Sequence, residues 1–154
     1  MEMFSYLKEE EQYIADQLVD TIERYGILTR DVVFEKVKAT CAAITAHLQK
    51  QETLVLAHIG ADPSFKEVLD EAVRNRTALA EEVGQLVMVH IDEPAYTDSL
   101  RKLLEKLQKY NQYSVELYST IENKASKLEI TNMASSFQEQ MFSMTDVNAQ
   151  VHQA

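Results

Sequence analysis

The sequence has few of the residues that break helices or cross-link chains. Its 154 residues include only three glycines, two prolines and one cysteine, and no tryptophan. Scarce glycine and proline leave few turns, which favours a few long helices over many short strands. The one cysteine, Cys41, excludes an intrachain disulfide and is typical of a reducing cytoplasm. Its place in an apolar pattern predicts a small buried hydrophobic residue.

Long apolar runs and an excess of basic residues are also missing. No apolar run approaches the roughly 20 residues that span a bilayer, and the opening stretch "MEMFSYLKEEE" lacks the basic and apolar regions of a signal peptide. Fifteen basic residues against 25 acidic ones give a net charge of −10. This balance argues against nucleic acid or an anionic membrane as a partner. We therefore expect a cytoplasmic globular protein.

Apolar residues recur at helical spacing along four long segments. Asp62 followed by Pro63 is a strong helix-start signal, and Gly26 and Gly60 stand where helices are expected to end. Pro94 ends the third segment because it disfavours helix in the residue before it. The predicted helices are A (3–25), B (about 31–59), C (about 63–90) and D (about 99–124).

Side chains suited to N-caps precede the second and fourth of these helices. Thr29 or Asp31 can cap helix B, and Thr97, Asp98 or Ser99 can cap helix D. Short connections force each helix antiparallel to the next. The sequence therefore predicts an all-α fold, an up-down-up-down antiparallel four-helix bundle.

The pattern loosens after residue 124 but does not disappear. Met133, Phe137, Met141 and Met144 still fall at helical spacing, which predicts a short fifth, C-terminal helix. A methionine-rich stripe on a terminal helix is a candidate partner-binding face, although packing on the bundle is the favoured interpretation. Residues 147–154 are expected to form a frayed tail, leaving residues 1–146 as one domain.

Four polar residues interrupt the apolar stripes, one on each long helix. Glu11, Gln51, Arg76 and Ser114 each fall near the centre of a stripe, at about 100° per residue. Their depths along the helices agree, so we expect one polar layer across the bundle. Within it Glu11 and Arg76 are predicted to form an ion pair, with Gln51, Tyr110 and Ser114 completing hydrogen bonds.

A polar layer is also where helical bundles build metal sites. A di-iron site needs several histidines and carboxylates that converge. Here the candidate ligands are Glu11, His47, Glu52 and His58, and the two histidines lie about 20° apart on the flank of helix B. Hydrogen-bonded packing is the favoured role for a flanking histidine. No cofactor is therefore expected, and iron stays as the alternative.

One stretch in each of the first two predicted helices resembles a motif of the hemerythrin-like (HHE cation-binding) four-helix family. "EEEQYI" is similar to the family's first-helix "EHxxI" stretch, with Glu11 at the usual histidine. "HLQKQETLVLAHI" is similar to the second-helix run His-x-x-x-Glu-Glu. In that run His47 matches the histidine, Gln51 replaces the metal-binding glutamate and Glu52 matches the next acid.

The third and fourth helices carry the same resemblance with more substitutions. "DEAVRNR" is similar to the third-helix "EH" motif, with Ala72 at the histidine and Arg76 one turn on. "YNQYSVELYSTI" is similar to the fourth-helix His-x-x-x-Glu run, with Tyr110 at the histidine and Ser114 at the acid. The resemblance covers about residues 4–122. It implies a four-helix bundle of this family in which most metal ligands have been replaced.

Two functional hypotheses follow from the sequence. The first is a non-enzymatic bundle without a complete di-iron site, acting as a protein-binding or regulatory module with an unidentified protein partner. The alternative is a hemerythrin-like protein that binds iron, oxygen or another small ligand. No nucleophile–base pair, phosphate-cradling glycine loop or cofactor fingerprint is visible, which argues against an enzyme. The sequence leaves a homodimer open.

Overall fold

The computed structural model describes the backbone of residues 1–153 and the side chains of residues 1–143. Over this range the chain is all-helical. The second helix, α2 (Arg30–Gln51), continues through a π-helical turn, Glu52–Leu56, and a last turn, Ala57–Ile59. The five helices are α1 (Glu2–Glu23), α2 (Arg30–Gln51 with the two turns just named), α3 (Lys66–Val87), α4 (Tyr96–Lys124) and α5 (Lys127–Gln153). Among the described residues, none of the helices combines the length and apolarity needed to cross a bilayer.

The helix starts follow from short polar side chains. The Thr29 hydroxyl accepts a hydrogen bond from the Val32 N–H at the start of α2. The Asp62 carboxylate accepts one from the Ser64 N–H at the start of a 3₁₀ turn, Pro63–Phe65, which leads directly into α3. Both predicted caps are therefore confirmed. The predicted cap of the fourth helix is wrong, because α4 already begins at Tyr96. Ser99 lies in its first turn, where its hydroxyl donates to the Ala95 carbonyl oxygen.

The first four helices enclose one interior. Helix α1 packs between α2 and α4, α3 packs most extensively on α4, and α2 makes a smaller contact with α3. Helix α5 contacts the π-helical turn and the last turn of α2. The predicted all-α fold is confirmed, and the arrangement is a helical bundle.

The core consists of two apolar clusters. The first contains Phe4, Leu7 and Phe65, and the second contains Leu18 and Leu100. These five side chains are fully buried. Each cluster stabilises the fold in proportion to the apolar area that it removes from water.

A polar residue marks the place where each helix passes from one cluster to the other. Helix α1 runs from the first cluster to the second across Glu11, and α2 runs from the second to the first across Gln51. Helix α3 again runs from the first to the second, across Arg76, and α4 returns across Ser114. The four positions that interrupt the apolar pattern of the sequence therefore lie between the two clusters.

The fifth helix belongs to the core and is not short. Met133 is fully buried, Phe137 is 8% exposed, and both pack on the first cluster together with the partly buried Met141. These three residues therefore do not form a free partner-binding face. The side chain of Met144 and the predicted frayed tail, residues 147–154, lie outside the residues whose side chains are described.

Candidate functional site

The π-helical turn of α2 begins directly after Gln51, at the level of the polar layer. A π-helical turn holds an extra residue and often occurs at functional positions. Here it turns three consecutive side chains, Leu54, Val55 and Leu56, into the interior. In the sequence, single apolar residues at helical spacing predict an ordinary α-helix in this region, so the π-helical turn was not predicted. The unbroken apolar run "LVL" was the signal for it.

His47 joins two glutamates of α1. Its Nδ1 lies 2.7 Å from Glu10 Oε1, and its Nε2 lies 3.1 Å from Glu11 Oε2. The imidazole is 3% exposed and Glu11 is 2% exposed. Carboxylates only accept hydrogen bonds, so a ring that bonds to both donates from both nitrogens and is an imidazolium. His47 is thus the cation that meets the buried Glu11.

Glu10 extends this bridge towards the surface. Its Oε2 accepts a hydrogen bond from Lys50 Nζ at 2.6 Å, and Lys50 also donates to the Tyr6 hydroxyl at 3.3 Å. The ammonium lies 5.4 Å from the centre of the Tyr6 ring, which adds a cation–π contact. Glu10 and Lys50 are both about one-fifth exposed. The outer end of the network is therefore partly hydrated, whereas its inner end is dry.

Tyr118 and Gln51 continue the network across the interior. The Tyr118 hydroxyl donates to Glu11 Oε2 at 2.6 Å, and Gln51 Nε2 donates to the Tyr118 hydroxyl oxygen at 2.9 Å and to Ser114 Oγ at 3.3 Å. Burial, and then the charge of Glu11, raise the pKa of Tyr118 well above its usual value. Tyr118 therefore stays protonated and acts as a donor to Glu11.

The pKa values of the charged residues follow from their partners. Burial opposes the charge of Glu10, but hydrogen bonds from His47 and Lys50 outweigh it and lower its pKa from 4.5 to about 2. Burial likewise opposes the charge of His47, yet hydrogen bonds to Glu10 and Glu11 raise its pKa above 6.5. Burial also opposes the charge of Lys50, but its hydrogen bonds to Glu10 and Tyr6 outweigh this effect and raise its pKa. The geometry therefore favours the fully charged form of the network.

The predicted ion pair between Glu11 and Arg76 is wrong. Arg76 Nη1 donates to the backbone carbonyl oxygen of Leu48 at 2.9 Å, and its Nη2 lies 3.5 Å from Glu52 Oε2. The guanidinium therefore meets α2 at the start of the π-helical turn and keeps one-fifth of the side chain exposed. At this position the guanidinium stays partly hydrated. Arg76 therefore avoids the desolvation penalty of a buried charge, which the attraction within an ion pair often does not offset.

Tyr110 also departs from its predicted role. Its ring meets the His47 ring edge-on at 5.9 Å, but its hydroxyl has no hydrogen-bond partner among the described residues. Burial, and then the charge of Glu11, raise the pKa of Tyr110, and the neighbouring Ser114 hydroxyl opposes that rise. Gln51 and Ser114 do form the hydrogen bond expected between them.

The candidate metal ligands do not converge. The two carboxylates nearest His47 bond to opposite nitrogens of its ring, so no point lies within a metal–ligand distance of about 2.0–2.2 Å of all three groups. His58 Nε2 lies 3.0 Å from the Ser136 hydroxyl on α5, and Glu52 lies near Arg76. Within the described part of the chain, no group of three or more ligating side chains is placed to hold an ion.

Three residues of the network were not singled out from the sequence. Glu10 and Lys50 lie at the edge of their helical stripes, where a charged residue is normally solvated. Tyr118 stands one turn after Ser114, so the helical spacing that identified Ser114 extends to it. The pair Glu10–Glu11 and the spacing His47-x-x-Lys50 were visible, but the spacing does not show which helices face each other.

Neutralising Glu10 is expected to remove a pH-dependent part of the stability. Because the pKa of Glu10 is lowered from 4.5 to about 2 on folding, its contribution is present above pH 4.5 and is lost as the pH falls towards 2. The thermal midpoint of Glu10→Gln should lie below that of the wild type at about pH 6 and converge with it in acid. As a control, Glu9→Gln alters the exposed neighbour and should leave the thermal midpoint unchanged. A difference in midpoint between the wild type and Glu10→Gln that stays the same at every pH contradicts the network.

An apolar groove lies among the start of α2, the end of α3 and the start of α4. Its volume is about 770 Å³, and it is lined by Phe34, Val37, Cys41, Val87, Met88 and Tyr96 among others. Three of the lining side chains are unusually exposed for apolar residues: Phe34 is 51%, Val87 74% and Met88 87% exposed. Grooves of this size with mostly apolar walls are typical binding sites.

Charged residues border this groove. Arg30 forms an ion pair with Asp92 at 2.8 Å, and Asp31 and Lys38 complete the α2 side. Cys41 is half-buried in the groove wall rather than fully buried, and burial raises the pKa of its thiol, which keeps it protonated. The groove therefore offers an apolar floor with charged side chains of both signs at its rim.

Comparison with known proteins gives no relative: no family model matches the chain, and no curated protein or solved structure is significantly similar to it.

Proposed function

We propose that this chain is a non-enzymatic helical bundle that acts by binding another protein, without a metal or other cofactor. The groove beside Phe34 carries the proposal, because exposed apolar patches on a folded domain mark interaction sites. The polar layer supports the metal-free part, since both nitrogens of His47 are already bonded to carboxylates. The half-buried free thiol of Cys41 suits the reducing cytoplasm in which we place the protein.

We further propose that the first four helices run up-down-up-down. The alternation of the two apolar clusters along α1, α2, α3 and α4 supports this topology, as do the short connections between the helices. The same topology is that of the hemerythrin-like family. We propose that the chain is a member of that family in which a hydrogen-bond network has taken the place of the metal site. In this network His47 bonds to Glu10 and Glu11, and Tyr118 links Glu11 to Gln51.

The expected partner is a peptide segment with an apolar side chain between two acidic ones. Arg30, Phe34 and Lys38 follow at i, i+4 and i+8 and therefore share one face of α2. Phe34 is half exposed and Lys38 is exposed, so an apolar side chain can pack on the ring while carboxylates meet the two cations. Arg30 is already paired with Asp92 at 2.8 Å, and Asp31 also lines the groove. One carboxylate of the peptide therefore has to compete with Asp92 for Arg30, while the other meets Lys38.

A designed helical peptide tests this assignment. The probe carries leucine flanked by glutamates four residues before and after it, and a matched probe carries lysines in their place. In an NMR titration the glutamate probe is expected to shift the amide signals of residues around Phe34 and to bind more tightly than the lysine probe. Phe34→Asp should weaken binding about ten-fold or more (about 1.4 kcal/mol). Tyr13→Asp, at a 64% exposed position of α1, serves as the control.

Three results would count against the proposal. Equal affinity for the glutamate and lysine probes removes the charge argument. Unchanged binding by Phe34→Asp, with the fold verified by circular dichroism, removes the groove. Binding of neither probe at millimolar concentration removes the proposed partner class.

A further inference from the structure

The polar layer holds two buried oxygen atoms that the described protein groups do not satisfy. These are Gln51 Oε1 and the hydroxyl oxygen of Tyr110; a third unpaired buried oxygen, Asn111 Oδ1, belongs to the neighbouring side chain whose Nδ2 donates to the Glu11 backbone carbonyl. Gln51 is 1% and Tyr110 3% exposed, so bulk water does not reach either atom. Buried polar atoms are almost always hydrogen-bonded, because leaving one unpaired costs free energy. Two such atoms in one layer therefore need an explanation.

The orientation of the Gln51 amide is fixed by the network. The Tyr118 hydroxyl gives its hydrogen to Glu11, so towards Gln51 it can only accept. Gln51 must therefore present Nε2, not Oε1, to Tyr118, and the same Nε2 reaches Ser114 Oγ. Turning the amide over would break the hydrogen bond to Tyr118. The unpaired acceptor of the amide is therefore a fixed feature of the layer.

Ser114 places the two oxygen atoms in the same neighbourhood. It accepts a hydrogen bond from the Gln51 amide, and it lies one helical turn after Tyr110 on α4. Gln51 Oε1 needs a donor, and the Tyr110 hydroxyl carries a hydrogen that needs an acceptor. One water molecule supplies both, because it donates and accepts at the same time.

We propose that a single buried water molecule bridges Gln51 Oε1 and the Tyr110 hydroxyl beside Ser114. It donates a hydrogen bond to the amide oxygen and accepts one from the phenol. The chemistry of the site selects a small neutral molecule that can donate and accept together, since an anion would meet the amide oxygen and a cation would meet the phenol hydrogen. Buried waters with two to four polar partners are ordinary constituents of domains of this size.

Tyr110→Phe tests the water directly. Magnetic relaxation dispersion of the water nuclei counts long-lived internal waters, and the variant is expected to hold one fewer than the wild type. Its ratio of folded to unfolded protein should fall about ten-fold, because the amide oxygen loses its donor. Tyr13→Phe removes a hydroxyl from an exposed ring and should change neither reading. An NMR fingerprint spectrum establishes that each variant is folded.

The opposite outcome is equally clear. If no water is present, Tyr110→Phe removes an unpaired buried hydroxyl and the variant becomes more stable. An unchanged count of long-lived waters, or a variant at least as stable as the wild type, overturns the proposal. Mass spectrometry under native conditions separates water from a larger ligand, since a persistent added mass on the wild type that is lost in Tyr110→Phe also overturns it.

Discussion

Replacing His47 with alanine is expected to lower the free energy of unfolding by about 3–5 kcal/mol at neutral pH. The substitution leaves Glu11, which is 2% exposed, buried without its cation. It also deprives Glu10 of its 2.7 Å contact. Removing one partner of a buried pair costs more than the pair itself contributes, because the remaining charge stays desolvated. Urea denaturation of the wild type and the variant measures the difference.

The same variant should show a characteristic dependence on pH. The pKa of His47 is raised above 6.5 in the folded state, so its stabilising contribution is fully present below 6.5 and is lost as the pH rises through the raised value. The difference in the free energy of unfolding between the wild type and His47→Ala is therefore expected to become smaller in alkaline solution. A gap that widens with rising pH contradicts the imidazolium bridge.

His90 provides the matched control for this experiment. Its side chain is 61% exposed, and its Nδ1 accepts a hydrogen bond from the Asp92 N–H at the surface, so His90→Ala should lower the stability by about 1 kcal/mol or less. A His47→Ala protein as stable as the wild type would show that the bridge is unimportant. If that variant also lost about one equivalent of iron, His47 would be a metal ligand and the metal-free proposal would be wrong.

Met133→Ala is expected to cost about 2–5 kcal/mol of stability. The side chain is fully buried against the first cluster, so its removal loses apolar burial and leaves a cavity at the end of the bundle. Because α5 contacts the π-helical turn and last turn of α2, this damage falls on the segment that carries Leu54, Val55 and Leu56. Chemical denaturation monitored by circular dichroism measures the loss.

The exposed residue Phe142 separates packing from a general weakness of α5. Its ring is 68% exposed, so Phe142→Ala should leave the stability within about 0.5 kcal/mol of the wild type. Equal effects of Met133→Ala and Phe142→Ala would contradict the packing of α5 on the bundle. A Met133→Ala variant that is fully stable would return that residue to the role of a partner-binding face.

Helical periodicity located the polar layer but misidentified its cation. Glu11, Gln51 and Ser114 interrupt apolar stripes, and all three are buried between the two clusters. The predicted partner of Glu11 was Arg76, because it was the only positively charged candidate visible in the sequence. His47 stands on the flank of its helix, and a flanking residue reaches the interior only if its helix is rotated towards the neighbour. The angular position of a residue around its own helix does not reveal how that helix is rotated relative to its neighbours.

Local sequence was sufficient to predict that the chain is helical, where the second and third helices begin and where polar groups interrupt the apolar stripes. These properties depend on neighbours within about four residues along the chain: the spacing of apolar residues, the cap residues Thr29 and Asp62, and the scarcity of glycine and proline. Three features became visible only in the folded chain: His47 bridges Glu10 and Glu11, Arg76 donates to the Leu48 carbonyl, and Met133 lies in the core. Each of these depends on contacts between helices, where desolvation and close packing select among partners that are equally acceptable to the local sequence.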